Sequence, residues 1–179
     1  AVHKLFAWYW ATENSVNESE KSSISYLPWV ESGLIELAGK AEIDTKYVQT
    51  RIMAILKKYK FKLLELGYDR YNAKTLVNEL SSPKNKIKCV MVGQYPKVLH
   101  APTVSFKNLI KSADIEHDGN PVFLHNLRNA RVVMDRNEYQ MVNKKECKGR
   151  IDGLAAAINA ELVFSDAPPP PPPLEIHHA

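Results

Sequence analysis

Two aspartates have the residue type and the setting for chemistry on a hard cation. Asp69 follows the apolar stretch Leu63–Tyr68 and precedes a segment of helical pattern. Open α/β sheets gather their ligands outside the carboxyl ends of strands, which is where this places it. An Asp before a helix is also an ordinary N-cap, and position alone favours that plainer role. Asp152 stands in Arg150-Ile151-Asp152-Gly153-Leu154-Ala155-Ala156, in the first turn of an apolar helix. A carboxylate there is favoured by the helix dipole and needs no further purpose. Gly153 is harder to explain, because glycine in a first turn costs about 1 kcal/mol against alanine. The absent side chain would let another backbone or a ligand come close. Upstream, Lys144, Lys145, Lys148 and Arg150 form a basic run interspersed with Asn143 and Glu146. Such a run suits phosphates, whose charge dominates nucleic-acid affinity, and suits a solvated loop equally well.

Other combinations carry less. His117-Asp118-Gly119 reads first as a turn, since Asp-Gly is a turn dipeptide, and second as a metal site. His3, His100 and His125 have no matching ligand partners along the chain. Val92-Gly93-Gln94 lacks the Gly-Lys-Ser/Thr of a phosphate loop, so no ATPase site is expected. Cys89 lies in an apolar run and Cys147 in a basic loop; two such cysteines make no disulfide framework, and a reducing setting is the default.

These residues must be positioned by elements that the hydrophobic pattern outlines. Val2–Trp10, dense in aromatics, reads as a strand, and polar Thr12–Ser25 as a surface loop. Tyr26–Gly33 reads as a helical turn ending at glycine, and Leu34–Leu37 as a brief strand. Asp44 caps a helix whose inner face is Val48, Ile52, Ile55, Leu56 and Tyr59, with Lys57, Lys58 and Lys60 at its negative end. Phe61–Tyr68 is the strand before Asp69, and Asn72–Leu80 the helix after it. Ile87–Val92 has the short continuous apolar run of a buried parallel strand. A helix follows over Thr103–Lys111, and Asn120-Pro121 opens another. Val132–Met134 and Glu138–Val142 flank Asp135-Arg136-Asn137 as a hairpin, and Ile151, Leu154, Ala155, Ile158 and Leu162 stripe a last helix. Strands alternating with helices predict an α/β fold, a mixed sheet flanked by helices with a C-terminal hairpin and helix.

Bulk properties bound the rest. The 179 residues, 45% hydrophobic and 25% charged, suffice for one domain. A net charge of +4 permits a polyanionic partner without requiring one. No apolar run nears the roughly 20 residues that span a bilayer, so no membrane partner is expected. Six prolines, Pro168–Pro173, predict a polyproline II rod, and Leu174-Glu175-Ile176-His177-His178 has the look of a cloning scar with part of an affinity tag. The expected division is therefore a domain over 1–166 and a tail over 167–179.

Taken in order, several blocks resemble the C-terminal nuclease domain of tailed-phage large terminases. They are Phe6-Ala7-Trp8-Tyr9-Trp10, Trp29-Val30-Glu31-Ser32-Gly33, Gly67-Tyr68-Asp69-Arg70-Tyr71-Asn72-Ala73 and Leu76-Val77-Asn78-Glu79-Leu80. Gly119-Asn120-Pro121-Val122, Asn129 and Arg150-Ile151-Asp152-Gly153-Leu154-Ala155-Ala156-Ala157-Ile158 complete the match, which runs from about Phe6 to Leu162. The blocks around Asp69 and Asp152 are fairly specific as a pair. The resemblance implies an RNase H-like fold and a metal-dependent endonuclease that cuts concatemeric double-stranded viral DNA. It implies hydrolysis with two Mg²⁺ or Mn²⁺ ions held by three acidic positions, Asp69 matching the second and Asp152 the third.

The first acid of the family lies on an opening strand, in a Gly-x-Asp-like stretch before the aromatic strand. Here the chain opens at the aromatic strand, so that strand is expected to be missing and the isolated chain to be weak or inactive. Ala11-Thr12-Glu13 also replaces the family's usual Leu-Pro-Glu-Asp-like residues. In the parent protein the resemblance implies viral DNA, a portal and a small terminase subunit as partners. It also implies assembly as an oligomer in the packaging motor, in the cytoplasm of an infected bacterium. The competing reading is a non-catalytic domain that guides DNA or docks on the portal.

Overall fold

A computed structural model describes residues 2–22, 24–71 and 73–166, and among them lie eight short strands and seven helices. The proline run and the tag-like residues lie outside them. The aromatic N-terminal segment is two strands rather than one, β1 (His3–Leu5) and β2 (Tyr9–Ala11). The break at Phe6–Trp8 lets them serve different neighbours: β1 runs parallel to β6 (Ile115–His117), and β2 parallel to β3 (Ile35–Leu37). The expected loop after it contains a helix, α1 (Glu13–Ser19). Thr12 starts it by accepting the Ser15 N–H through Oγ1 at 3.1 Å, a cap that stands in a polar stretch resembling a loop.

Most of the other elements follow the pattern. Helix α2 (Leu27–Glu31) ends ahead of Gly33, whose φ of +73° is the left-handed conformation that stops a helix. Helix α3 (Thr45–Tyr59) is capped by the Asp44 carboxylate, which accepts the Lys46 and Tyr47 N–H groups at 3.0 Å. Val48 and Ile55 of its apolar face are buried, whereas Tyr59 is not. Strand β4 is shorter than the apolar stretch, Leu66–Tyr68, and pairs in parallel with β5 (Cys89–Met91). Between them α4 (Lys74–Leu80) buries Leu80 completely.

Helix α5 (Pro96–Lys111) begins two turns before its expected start. Pro102 inside it resembles a stop signal, but buried beside Leu99, Thr103 and Phe106 it is carried by packing. Helix α6 (Pro121–Asn129) opens at Asn120, whose Oδ1 accepts the Val122 N–H at 2.9 Å. Strands β7 (Val132–Met134) and β8 (Gln140–Val142) form the antiparallel hairpin, and α7 (Asp152–Asp166) closes the described chain.

Helix α7 organises the rest, packing against α5, α6 and β4. Its Leu154 and Ile158 join Val92, Leu99, Phe106 and Phe123 in the central apolar cluster. No helix among the described residues is long and apolar enough to cross a membrane.

Candidate active site

The start of α7 is fixed from outside the helix. First-turn N–H groups have no partner within their own helix. Here Gly153 N–H donates to Asn126 Oδ1 of α6 at 2.7 Å, and Asn126 Nδ2 in turn donates to the Val122 carbonyl at 3.0 Å. Asn126 is buried, so the clasp is dry. Three residues on, Asn129 Nδ2 donates to the Arg150 carbonyl at 3.0 Å, and the Lys148 N–H donates to the Asn129 carbonyl at 3.2 Å. Two asparagines one turn apart on α6 thus hold the basic loop and the helix start, and with them Asp152.

Gly153 has a definite neighbour. A Cβ there would stand 2.8 Å from Tyr9 Cζ and 2.9 Å from Cε1, and closer still to the hydroxyl. The close approach inferred from the glycine is therefore made by the β2 tyrosine. The Tyr9 hydroxyl is buried without a hydrogen-bond partner among the described residues. Burial, then the negative charges of Asp118 and Asp152, raise its pKa well above the usual phenol range.

Asp69 follows directly on β4, at the carboxyl end of that strand. It is not the cap of α4: that helix starts at Lys74, and its N-cap position, Ala73, makes no side-chain hydrogen bond. Instead Asp69 Oδ1 accepts the Tyr71 N–H at 3.1 Å, closing a local turn.

Asp69 and Asp152 face one cavity. They line it, about 240 Å³ in volume, together with Gly67, Gln94, Lys144 and Asn159. Gln94 Nε2 donates to Asn159 Oδ1 at 3.2 Å, which ties the end of β5 to α7 across the cavity wall. Gly67 permits this closeness, since a Cβ there would meet the Asn159 carbonyl oxygen at 2.7 Å. Around Asp152 stand Lys144 Nζ, 3.7 Å from Oδ1, and Arg150 Nη1, 3.8 Å from Oδ2. These are ion pairs too long to be hydrogen bonds, and the carboxylate is 59% exposed, so its oxygens stay open to a ligand.

The basic residues divide. Lys144 and Lys145 line a second cavity, which Asp69 also borders. Arg150 turns to the other side, into a recess it shares with Asp152 and Tyr26. Burial raises the Tyr26 phenol pKa, while the Arg150 charge lowers it and Asp152 raises it. Lys148 is exposed and lines none of these cavities. His117-Asp118-Gly119 is a turn, with Gly119 at φ +76° donating its N–H to His117 Nδ1. Among the described residues no group of three or more His, Cys, Asp or Glu converges on one point.

With this geometry in view, comparison with known proteins is decisive. Residues 9–166 match the family model described as the terminase large subunit, endonuclease domain. The chain belongs to that family. Among solved structures it is similar to the large terminase of bacteriophage HK97, with a TM-score of 0.81 at 23% identity over 89% of this chain and 33% of that one. It is also similar to the large terminase nuclease of thermophilic phage G20c, with a TM-score of 0.51 at 16% identity, covering 69% of this chain and 63% of that one. These likenesses establish the fold, the RNase H-like architecture of terminase nucleases. Among curated proteins it is 24% identical over 146 residues to Protein YmfN of Escherichia coli (strain K12), covering 80% of this chain and 31% of that protein. The terminase domain thus spans about a third of the length of the curated relative and of the HK97 protein.

Part of this terminase domain's site escapes sequence reading. Gln94 and Asn159 carry no motif, although Asn159 stands two turns beyond Asp152 on α7 and could be found by that spacing. Asn126 is an ordinary helix residue until α7 is seen to begin against it, and Asn129, part of the resemblance, gains a physical role only from the same contact.

Proposed function

We propose that this terminase domain is a metal-dependent endonuclease that hydrolyses phosphodiester bonds of concatemeric double-stranded viral DNA. The observation that supports this reading is the shared cavity of Asp69 and Asp152, two carboxylates far apart in sequence that border one open cavity. The donor set fits a hard divalent cation. Mg²⁺ takes oxygen ligands, typically one or two carboxylates completed by phosphate and water. Asp69 has only Oδ1 engaged by a protein donor among the described residues, and Asp152 makes only long ion pairs. Asp69 and Asp152 would hold Mg²⁺ or Mn²⁺; a second ion of the pair needs a further carboxylate, which no described group supplies. Activity of this chain alone is accordingly weak.

A bound ion of this kind supplies a more acidic water and neutralises the leaving oxygen. The chain's own part is to position. Lys144, at the cavity wall, draws a phosphate toward the carboxylates and offsets the charge that builds on its oxygens. Arg150 steadies the strand on the other side of Asp152, while Lys145 and Lys148 extend the positive loop along the DNA backbone. In the parent protein this activity would serve DNA packaging with a portal and a small subunit, in an oligomeric motor in the host cytoplasm.

The test combines plasmid nicking in Mn²⁺ with Mn²⁺ binding followed by electron paramagnetic resonance. Asp69→Asn and Asp152→Asn should each abolish nicking and release bound Mn²⁺ while leaving DNA affinity intact. Undiminished nicking and Mn²⁺ binding by both variants would refute the assignment. A wild-type chain that binds DNA but neither Mn²⁺ nor cuts would favour a DNA-guiding role instead.

A further inference from the structure

On the side of Asp152 away from Asp69, the surface opens into a second concavity of about 220 Å³. Four aromatic side chains, Tyr9, Trp10, Tyr26 and Trp29, line it among aliphatic and polar neighbours. Tyr26 and Trp29 of the α2 region stack with ring centroids 5.6 Å apart and planes 18° apart, and Trp29 meets His125 of α6 at 5.4 Å. Tyr9 forms another wall, and Arg150 and Asp152 stand at the rim. The recess is smaller than the roughly 300–1,000 Å³ that holds a drug-sized ligand, which suits a single flat ring system. Desolvation lowers the pKa of His125, with the nearby Arg128 charge adding to it, so a neutral imidazole completes the wall.

We propose that this recess receives one unpaired nucleobase of the DNA strand whose phosphate lies at Asp152. Every base has a π-face, and stacking on aromatic side chains holds bases with little regard to sequence. A cation beside the recess holds the backbone that carries the base: Arg150 lies 3.8 Å from Asp152 and lines the recess itself. The juxtaposition gives the site a preference for DNA that is locally unpaired, because an intact duplex keeps its bases stacked and must be opened at a cost of a few kcal/mol. This inference rests on the endonuclease reading for its placement of the phosphate, and adds a determinant of where the strand is cut.

The experiment uses the full chain in EDTA, so that binding is measured without cleavage. Three duplexes of one sequence are compared by fluorescence anisotropy: fully paired, carrying a single bulged base, and carrying an abasic bulge. The chain should bind the bulged duplex roughly 5- to 100-fold more tightly than the other two. Trp29→Ala should erase that preference while leaving affinity for the paired duplex unchanged. Should Trp29→Ala fail to fold, 2-aminopurine placed in the bulge decides the matter with the wild-type chain. Its emission should fall further when stacked in the recess, and the fall should be lost with Tyr26→Ala. Equal affinity for all three duplexes, or a bulge preference that survives Trp29→Ala, overturns the proposal. Nicking separates the two readings: if Asp152→Asn abolishes it and no bulge preference exists, only the recess is refuted. A Trp29-dependent bulge preference in a chain whose aspartate variants still nick would refute the roles given to Asp69 and Asp152, and leave the recess standing as a base-binding site without its phosphate placement.

Discussion

Replacing Gly153 by alanine sets two known quantities against each other. Helix propensity favours the change, by about 1 kcal/mol for glycine to alanine. Packing opposes it, because the new methyl would lie 2.8 Å from Tyr9 Cζ and inside the van der Waals shell of the hydroxyl. The ring cannot simply swing away, since Tyr9 packs against the central apolar cluster and belongs to the strand paired with β3. Forcing an extra methyl into such a site costs typically 1–3 kcal/mol. The expected net loss is about 1 kcal/mol, seen as a fall in melting temperature of roughly 2–4 °C for a domain of this size. Tyr9→Phe removes the hydroxyl, which is buried without a partner among the described residues, and by itself should be neutral or stabilising. In the Tyr9→Phe background Gly153→Ala should cost less, giving a coupling energy of about 0.5–1 kcal/mol in a double-mutant cycle. Urea denaturation of the four proteins measures it. A Gly153→Ala chain more stable than wild type, with no coupling to position 9, would show that the glycine answers to something other than the tyrosine.

Three other perturbations probe the same framework. Asn126→Ala removes the acceptor of the Gly153 N–H from a buried clasp and should cost about 1–2 kcal/mol by denaturant titration, whereas Asn129→Ala, at the less buried loop, should cost less. Lys144→Ala should weaken DNA binding in low salt and reduce the slope of log affinity against log salt by about 0.9, measured by anisotropy from 50 to 200 mM salt. Glu36 accepts hydrogen bonds from Arg51, Tyr47 and Trp10, and the Arg51 bond above all holds its pKa below the usual carboxylate value. A depressed pKa contributes stability that is present above the unfolded value and lost as pH falls through the folded one. Wild type should therefore lose about 1 kcal/mol more than Glu36→Gln between pH 6 and pH 3, with the partial exposure of Arg51 keeping the figure small.

Periodicity carried the fold further than composition did. The apolar faces of α3 and α7 and the compact run at β5 each follow from spacing, because burial on one side imposes it. Failures came where local signals conflict with packing. The helix expected over Thr103–Lys111 starts at Pro96 instead, with Pro102 inside it, carried by the buried residues on either side. Thr12–Ser25 reads as a loop because Ser and Asn dominate it, although Thr12 caps a helix that buries Val16 and Ser19. Nothing in Phe6-Ala7-Trp8 announces that the aromatic strand breaks there, since the break is set by the separate partners β6 and β3.

The site divides along the same line. A carboxylate's type and its place after a strand or before a helix are local, so Asp69 and Asp152 could be singled out one at a time. What joins them is α7 lying against β4, a contact between the last helix and a strand from the first half of the chain. Gly67 marks that contact, because a side chain there would collide with the Asn159 backbone, and Gly153 marks the approach of α7 to Tyr9 of β2. The two glycines therefore act as one requirement: α7 must lie close to β4 along one side and to β2 along the other. Enlarging either would tilt the helix and carry Asp152 away from the cavity it shares with Asp69, even though neither glycine touches a ligand.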